Sequence, residues 1–142
     1  MPPDDNLIRA FLSSPYKSHA LWESHGRTAP IKDSMRAILR LSHKLQPVLA
    51  VDEVRSCPRS CVWSPLIEGD LMRASGELEN ETEALDWCLY QIESGIFTHL
   101  IVASDDTIPR KPDYGRNGCD AEVSRALNLG MTVLTETDFL AG

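Results

Sequence analysis

The stretch that decides the fold runs from His99 to Leu134: HLIVASDDTIPRKPDYGRNGCDAEVSRALNLGMTVL. It opens on a short apolar run, His99-Leu100-Ile101-Val102-Ala103, closed by Ser104-Asp105-Asp106. That pattern reads as a buried parallel strand ending in a loop. Pro109, Pro112, Gly115 and Gly118 mark the next segment, from Thr107, as loop. From Cys119 the period becomes helical, with Val123, Ala126, Leu127 and Gly130 at i, i+3, i+4 and i+7. Gly130 closes the helix, and Met131-Thr132-Val133-Leu134 is a second short strand. Strand, loop, helix, strand is a parallel βαβ unit, and such sheets bind ligands beyond the carboxyl ends of their strands. Here that end carries Asp105, Asp106, Asp113, Tyr114 and the start of the helix.

Glu122 borders the core-facing stripe of this helix, one position before Val123 and four before Ala126. Its expected place is the first turn, where the helix dipole favours an ionised carboxylate. A partly shielded carboxylate beside a strand-end cleft is a candidate nucleophile or base. The plainer alternative is that Glu122, like Asp120, is an ordinary first-turn acid.

Upstream, Leu7 to Leu12 is the first strand, ended by the small-residue turn Ser13-Ser14-Pro15-Tyr16. Such a turn lets a ligand approach the backbone, or simply stops the strand. Residues 17–32 read as a long polar loop. Asp33-Ser34 then offers a helix cap, followed by a stripe of Met35, Ile38, Leu39, Leu41 and Leu45 that Pro47 must end. Val48 to Val54 fits either an extra strand or a helical extension. Cys61 to Ile67 reads as the second strand, broken at its end by Pro65. Glu68 to Asn80 reads as loop, or as loop with a short helical turn. Glu81 to Ser94 is a helix with its stripe at Leu85, Cys88, Leu89 and Ile92, stopped by Gly95. Asp86 falls one position off that stripe, either a site acid or a solvated one. Thr137 to Leu140 closes the chain as a short turn or helix.

This alternation predicts a single α/β domain spanning residues 1–142: a three-layer, doubly wound, Rossmann- or flavodoxin-like fold. The parallel sheet has four strands in the order 2-1-3-4, or five with one near Val48. The ligand cleft lies where the first and third strands diverge.

A net charge of −7 argues against polymeric nucleic acid or an anionic membrane as partner, but not against a single nucleotide. No apolar stretch approaches membrane-spanning length, and Met1-Pro2-Pro3-Asp4-Asp5 does not read as a signal peptide. The expected compartment is therefore the cytoplasm, where Cys57, Cys61, Cys88 and Cys119 are free thiols rather than disulfides. The C-x3-C spacing of Cys57 and Cys61 has no second pair or histidine cluster to complete a zinc site. Cys119, at an expected helix start, is a packing or loop residue, or a thiol of lowered pKa.

Three stretches together resemble the nucleoside 2-deoxyribosyltransferase-like family and its small uncharacterised relatives. Ala10-Phe11-Leu12-Ser13-Ser14-Pro15-Tyr16 is similar to the family's opening strand and turn, and Val62-Trp63-Ser64-Pro65-Leu66 to its second strand. Gly118-Cys119-Asp120-Ala121-Glu122, Ala126, Leu129-Gly130 and Val133 are similar to its Gly-x-x-x-Glu-x-x-x-Ala-x-x-x-Gly-x-x-Val pattern. The resemblance implies that Glu122 is the carboxylate nucleophile, with Asp113 or Asp86 as the acid that protonates the departing base. It implies substrate contacts from Ser13, Ser14, Pro15, Tyr16, Ser64, Asn117 and Gly118. The family's aspartate before the glutamate falls on Arg116, so Asp113 takes that role only with a shifted loop, and Asp120 stands where a small residue is usual. Arg116 points to a phosphate contact, hence a nucleotide hydrolase rather than a nucleoside transferase.

The implied activity is cleavage or transfer of an N-glycosidic bond on a (deoxy)nucleoside or nucleotide, with retention and through an oxocarbenium-like transition state. It calls for no cofactor and no metal, and it implies a homodimer or homotetramer. Residues 97–102 and 130–140 also resemble the third strand and tail of a BRCT domain, a protein-interaction module. The Gly-Gly turn that family places before a second strand is missing. A third alternative is a nucleotide-binding α/β domain without turnover.

Overall fold

A computed structural model describes residues 7–16, 19–78, 81–104 and 117–142, with side chains at all of these except 81–82 and 117–119. Asp105, Asp106, Asp113, Tyr114 and Arg116 therefore lie outside the described residues, as do the side chains of Asn117 and Cys119.

The centre of the molecule is a strand of alternating residues, β1 (Arg9–Ser13). Phe11 faces one side of the sheet, and Ala10 and Leu12 face the other, as the period of two requires. Both sides are covered, so β1 is fully buried from Ala10 onward. It pairs in parallel with β3 (Cys61–Trp63) and with β4 (His99–Val102), in registers that set Phe11 beside Trp63 and Leu100. β2 (Gln46–Pro47) lies outside β3, and β5 (Thr132–Thr135) outside β4. The sheet is wholly parallel, in the order β2-β3-β1-β4-β5.

Helices cover both faces. On one, α3 (Asp52–Ser56), α5 (Glu81–Glu93) and α6 (Asn117–Asn128) pack Val54, Cys88, Ile92 and Ala126 against Phe11, Trp63 and Leu100. The rings of Phe11, Trp63 and Phe97 lie within 5.5 Å of one another, two of the pairs edge to face. On the other face, α2 (Thr28–Leu41) and α7 (Glu136–Ala141) pack Ala37, Ile38, Leu41 and Phe139 against Ala10, Leu12, Val62 and Ile101. The three-layer doubly wound α/β class expected from the sequence is the observed one. The helical Glu81–Glu93 segment supplies the layer that this class needs.

Numbered along the chain the order differs from 2-1-3-4 because a fifth strand is present, while the four longer strands, β3-β1-β4-β5, keep the expected succession. The short strand beside Val48 enters the count as β2 and takes the outer edge, where Pro47 costs no ladder bond. Pro65 does not break a strand. Ser64 caps α4 (Pro65–Ala74), its hydroxyl accepting from the Ile67 amide at 3.4 Å, and Pro65 is the first helical residue. The run after Glu68 is thus helix as far as Ala74, more than the short helical turn the sequence allowed. The polar segment before Asp33 likewise contains α1 (Trp22–His25) and the first turn of α2.

The stripe of α2 also differs. Met35 and Leu39 point outward, and Ala29, Pro30, Ser34, Ala37, Ile38 and Leu41 face the sheet. On α6, Leu127 is 59% exposed and Gly130 is exposed as well. The inward line is Glu122–Ala126, which moves Glu122 from the border of the stripe into it.

Candidate active site

β1 and β4 are neighbours, yet the helix after β1, α2, covers one face and the helix after β4, α6, covers the other. A crevice opens at the carboxyl ends of two such strands, at the point where the winding reverses. The residues at those ends are small and buried: Ser13 as the last residue of β1 and Ser14 after it, Ala103 after β4, Ser64 after β3. The Ala103 amide donates to the Ser13 carbonyl at 2.9 Å, which prolongs the ladder up to the crevice.

Glu122 reaches this point from α6. It is 6% exposed, and its Oε1 accepts a 2.8 Å hydrogen bond from the Ser13 hydroxyl, which is 0% exposed. Ser13 continues the alternation of Phe11, so its side chain emerges on the α6 side of the sheet. Because α6 starts at Asn117, Glu122 lies in its second turn rather than its first. The dipole contribution fades beyond the first turn. The Ser13 bond, rather than the helix end, is thus one contact that holds the carboxylate. A buried carboxylate held by a hydroxyl at a strand-end crevice can act as a nucleophile or a base.

Ser14 takes the other side of the alternation. Its hydroxyl lies 2.9 Å from that of Ser34 on α2, and both are buried. Pro15 is buried and Tyr16 half-buried. The Tyr16 ring packs 4.7 Å from Trp22 and lies under the Arg73 guanidinium, which donates to its hydroxyl at 3.4 Å. Loop, α1 and α4 are thereby joined along one rim. No family model matches this chain. Nor does any curated protein or solved structure.

The expected site residues fall into four groups. Ser13 and Glu122 are brought into contact, and Ser14 follows in sequence. Ser64 lies at the end of β3, with its hydroxyl engaged as the α4 cap. Asp86 is exposed on α5, off the buried line of Cys88 and Ile92. Asp113 and Arg116 lie outside the described residues, and of Asn117 and Gly118 only the backbone start of α6 is described.

Sequence reading missed three neighbours of the crevice: His19, Asp33 and Ser34. Ser34 had a signal, since Ser34, Ala37, Ile38 and Leu41 follow the helical i, i+3, i+4, i+7 spacing. His19 had none, because a histidine in a polar stretch looks exposed. It is fully buried, with Nε2 2.7 Å from Asp33 and Nδ1 accepting from the Leu21 amide at 3.0 Å. A second buried carboxylate, Glu136 at the end of β5, is paired with Arg40 of α2 and reads as structural. Among the described residues no group of three or more His, Cys, Asp or Glu is gathered to hold a metal ion. Cys57, Cys61 and Cys88 are buried thiols in the core, and no described helix is long and apolar enough to cross a membrane.

Proposed function

We propose that this protein cleaves or transfers the N-glycosidic bond of a (deoxy)nucleoside or nucleotide, with Glu122 as the nucleophile. The observation that carries the reading is the buried Ser13–Glu122 hydrogen bond at the reversal point of the sheet. A Glu122 oxygen forms a bond to the anomeric carbon as the bond from that carbon to the base nitrogen breaks. The base leaves with a proton from an acid, assigned to Asp113 or Asp86. Water then hydrolyses the glycosyl ester, or the nitrogen of a second base displaces the glutamate. Ser13 donates to Oε1 throughout, fixing the carboxylate so that attack uses another lone pair. Arg116, the residue just before α6 in sequence, is assigned to a substrate phosphate.

The test is base release. The chain is incubated with a panel of ribo- and deoxyribonucleosides and their 5′-monophosphates, and free base is quantified by chromatography. Release from any member, abolished in Glu122→Gln, supports the reading. Binding without release would instead make the domain a non-catalytic nucleotide binder. The same reading carries a homodimer or homotetramer. Light scattering at the 15.8 kDa of a single chain would count against that part.

A further inference from the structure

We infer that His19 and Asp33 are positioning residues for this site, which fix the Ser14–Tyr16 edge of the crevice by clamping the turn after β1 to α2. The inference rests on the proposed glycosidic chemistry and adds residues that chemistry does not name.

His19 uses every hydrogen-bonding atom it has. Its amide donates to the Tyr16 carbonyl at 3.1 Å, and its carbonyl accepts from the Trp22 amide at 3.0 Å. Its Nδ1 accepts from the Leu21 amide, so that nitrogen bears no proton and the ring proton sits on Nε2. Nε2 therefore donates to Asp33 Oδ2 at 2.7 Å. Both ring nitrogens are engaged, which leaves His19 no role as a base toward substrate. The other Asp33 oxygen accepts from Arg36 at 3.3 Å, one turn along α2.

The next residue of α2, Ser34, holds Ser14. Two adjacent helical residues thus grip the turn at two points, one on each side of Tyr16. Tyr16 is fixed further by the Trp22 ring, whose amide His19 holds. Ser13 precedes this gripped turn directly and bonds to Glu122 from the opposite face. The rim can therefore shift without breaking the Ser13–Glu122 pair. A displacement of the rim changes substrate placement and leaves the reacting carboxylate where it is.

Asp33→Ala and Asp33→Asn separate the possibilities. Asn keeps a carbonyl oxygen to accept from His19 Nε2, and Ala does not. With the substrate found in the base-release panel, Asp33→Ala should raise KM about tenfold or more, with kcat changed by less than about threefold. Asp33→Asn should stay near the wild type in both. Amide exchange should report the same event directly: faster at Leu21 and Trp22 in Asp33→Ala, and unchanged in β1 and β4. An unchanged KM in Asp33→Ala overturns the inference. So does a parallel fall in kcat and melting temperature with no KM effect, the mark of a merely structural contact. A wild-type chain that releases no base from any member overturns the glycosidic reading itself, and this inference with it.

Discussion

Glu122 bears the functional reading, and its surroundings say how two substitutions should differ. Glu122→Ala removes the acceptor of a hydroxyl that is wholly inaccessible to solvent. Stranding such a group costs about 1–3 kcal/mol. At roughly 3 °C per kcal/mol for a domain of this size, melting should fall by about 3–10 °C. Glu122→Gln keeps the side-chain volume and an amide oxygen 2.8 Å from Ser13, if the rotamer is retained. Its cost is the difference between a charge-assisted and a neutral hydrogen bond, about 1 kcal/mol, or roughly 3 °C. The amide oxygen is a poor nucleophile, so base release should fall by several powers of ten in both variants. Calorimetry and chromatographic base release on the same preparations read the two effects separately. Glu122→Gln is the informative member, because it should lose turnover while staying folded. Base release within a few-fold of wild type in Glu122→Gln would refute Glu122 as nucleophile, and the buried bond would then be structural.

Burial, then the neighbouring Cys57 thiol, pushes the Cys61 thiol up to about 12, so Cys61 should resist thiol reagents in the native state at pH 8 and react once unfolded. The native state keeps its proton where the unfolded chain, near 9, loses it; stability from this group is complete below pH 9 and should decline as pH rises from 9 toward 12, read by urea midpoints. His99 is shifted the other way, below 6.5, by burial, and imidazole resonances should titrate below that value. Its neutral form is favoured by folding, so its contribution holds above pH 6.5 and is lost as pH falls through the lowered native value. Glu68 Oε1 accepts from both the Trp63 indole at 2.8 Å and the Val51 amide at 2.6 Å. Glu68→Ala should therefore destabilise by about 2 kcal/mol or more, measured by chemical denaturation.

What the sequence made legible followed from periodicity. The 99–103 and 131–135 runs and the Leu85–Ile92 stripe are long or apolar enough to dictate their elements, and with them the α/β class. Helix faces built from small residues were harder. On α2, Ser34 and Ala37 are buried while Met35 and Leu39 are exposed, so hydropathy alone misplaces the buried face. The Ser64-Pro65 pair is the start of a helix, yet proline at a strand's end and proline at a helix's first position look alike without the residues that follow. In the site, Glu122 and Ser13 were both expected at the strand-end cleft, and what the sequence left open was the hydrogen bond that joins them across 109 residues. The His19–Asp33 pair depends wholly on tertiary placement.

The two margins of the sheet are unequal. β2 offers two exposed residues, one of them a proline with no N–H to give, and that rim is blunt. β5 is four residues long and stands at the opposite rim. Half of its backbone groups point away from β4, as in any edge strand. A foreign strand can therefore extend this sheet in one direction only. If two copies met β5 to β5, they would join antiparallel about a twofold axis and leave a blunt margin at each end. Such a union would stop at two chains, so the edge proline guards against fibrous growth even for a pair whose open rims had met.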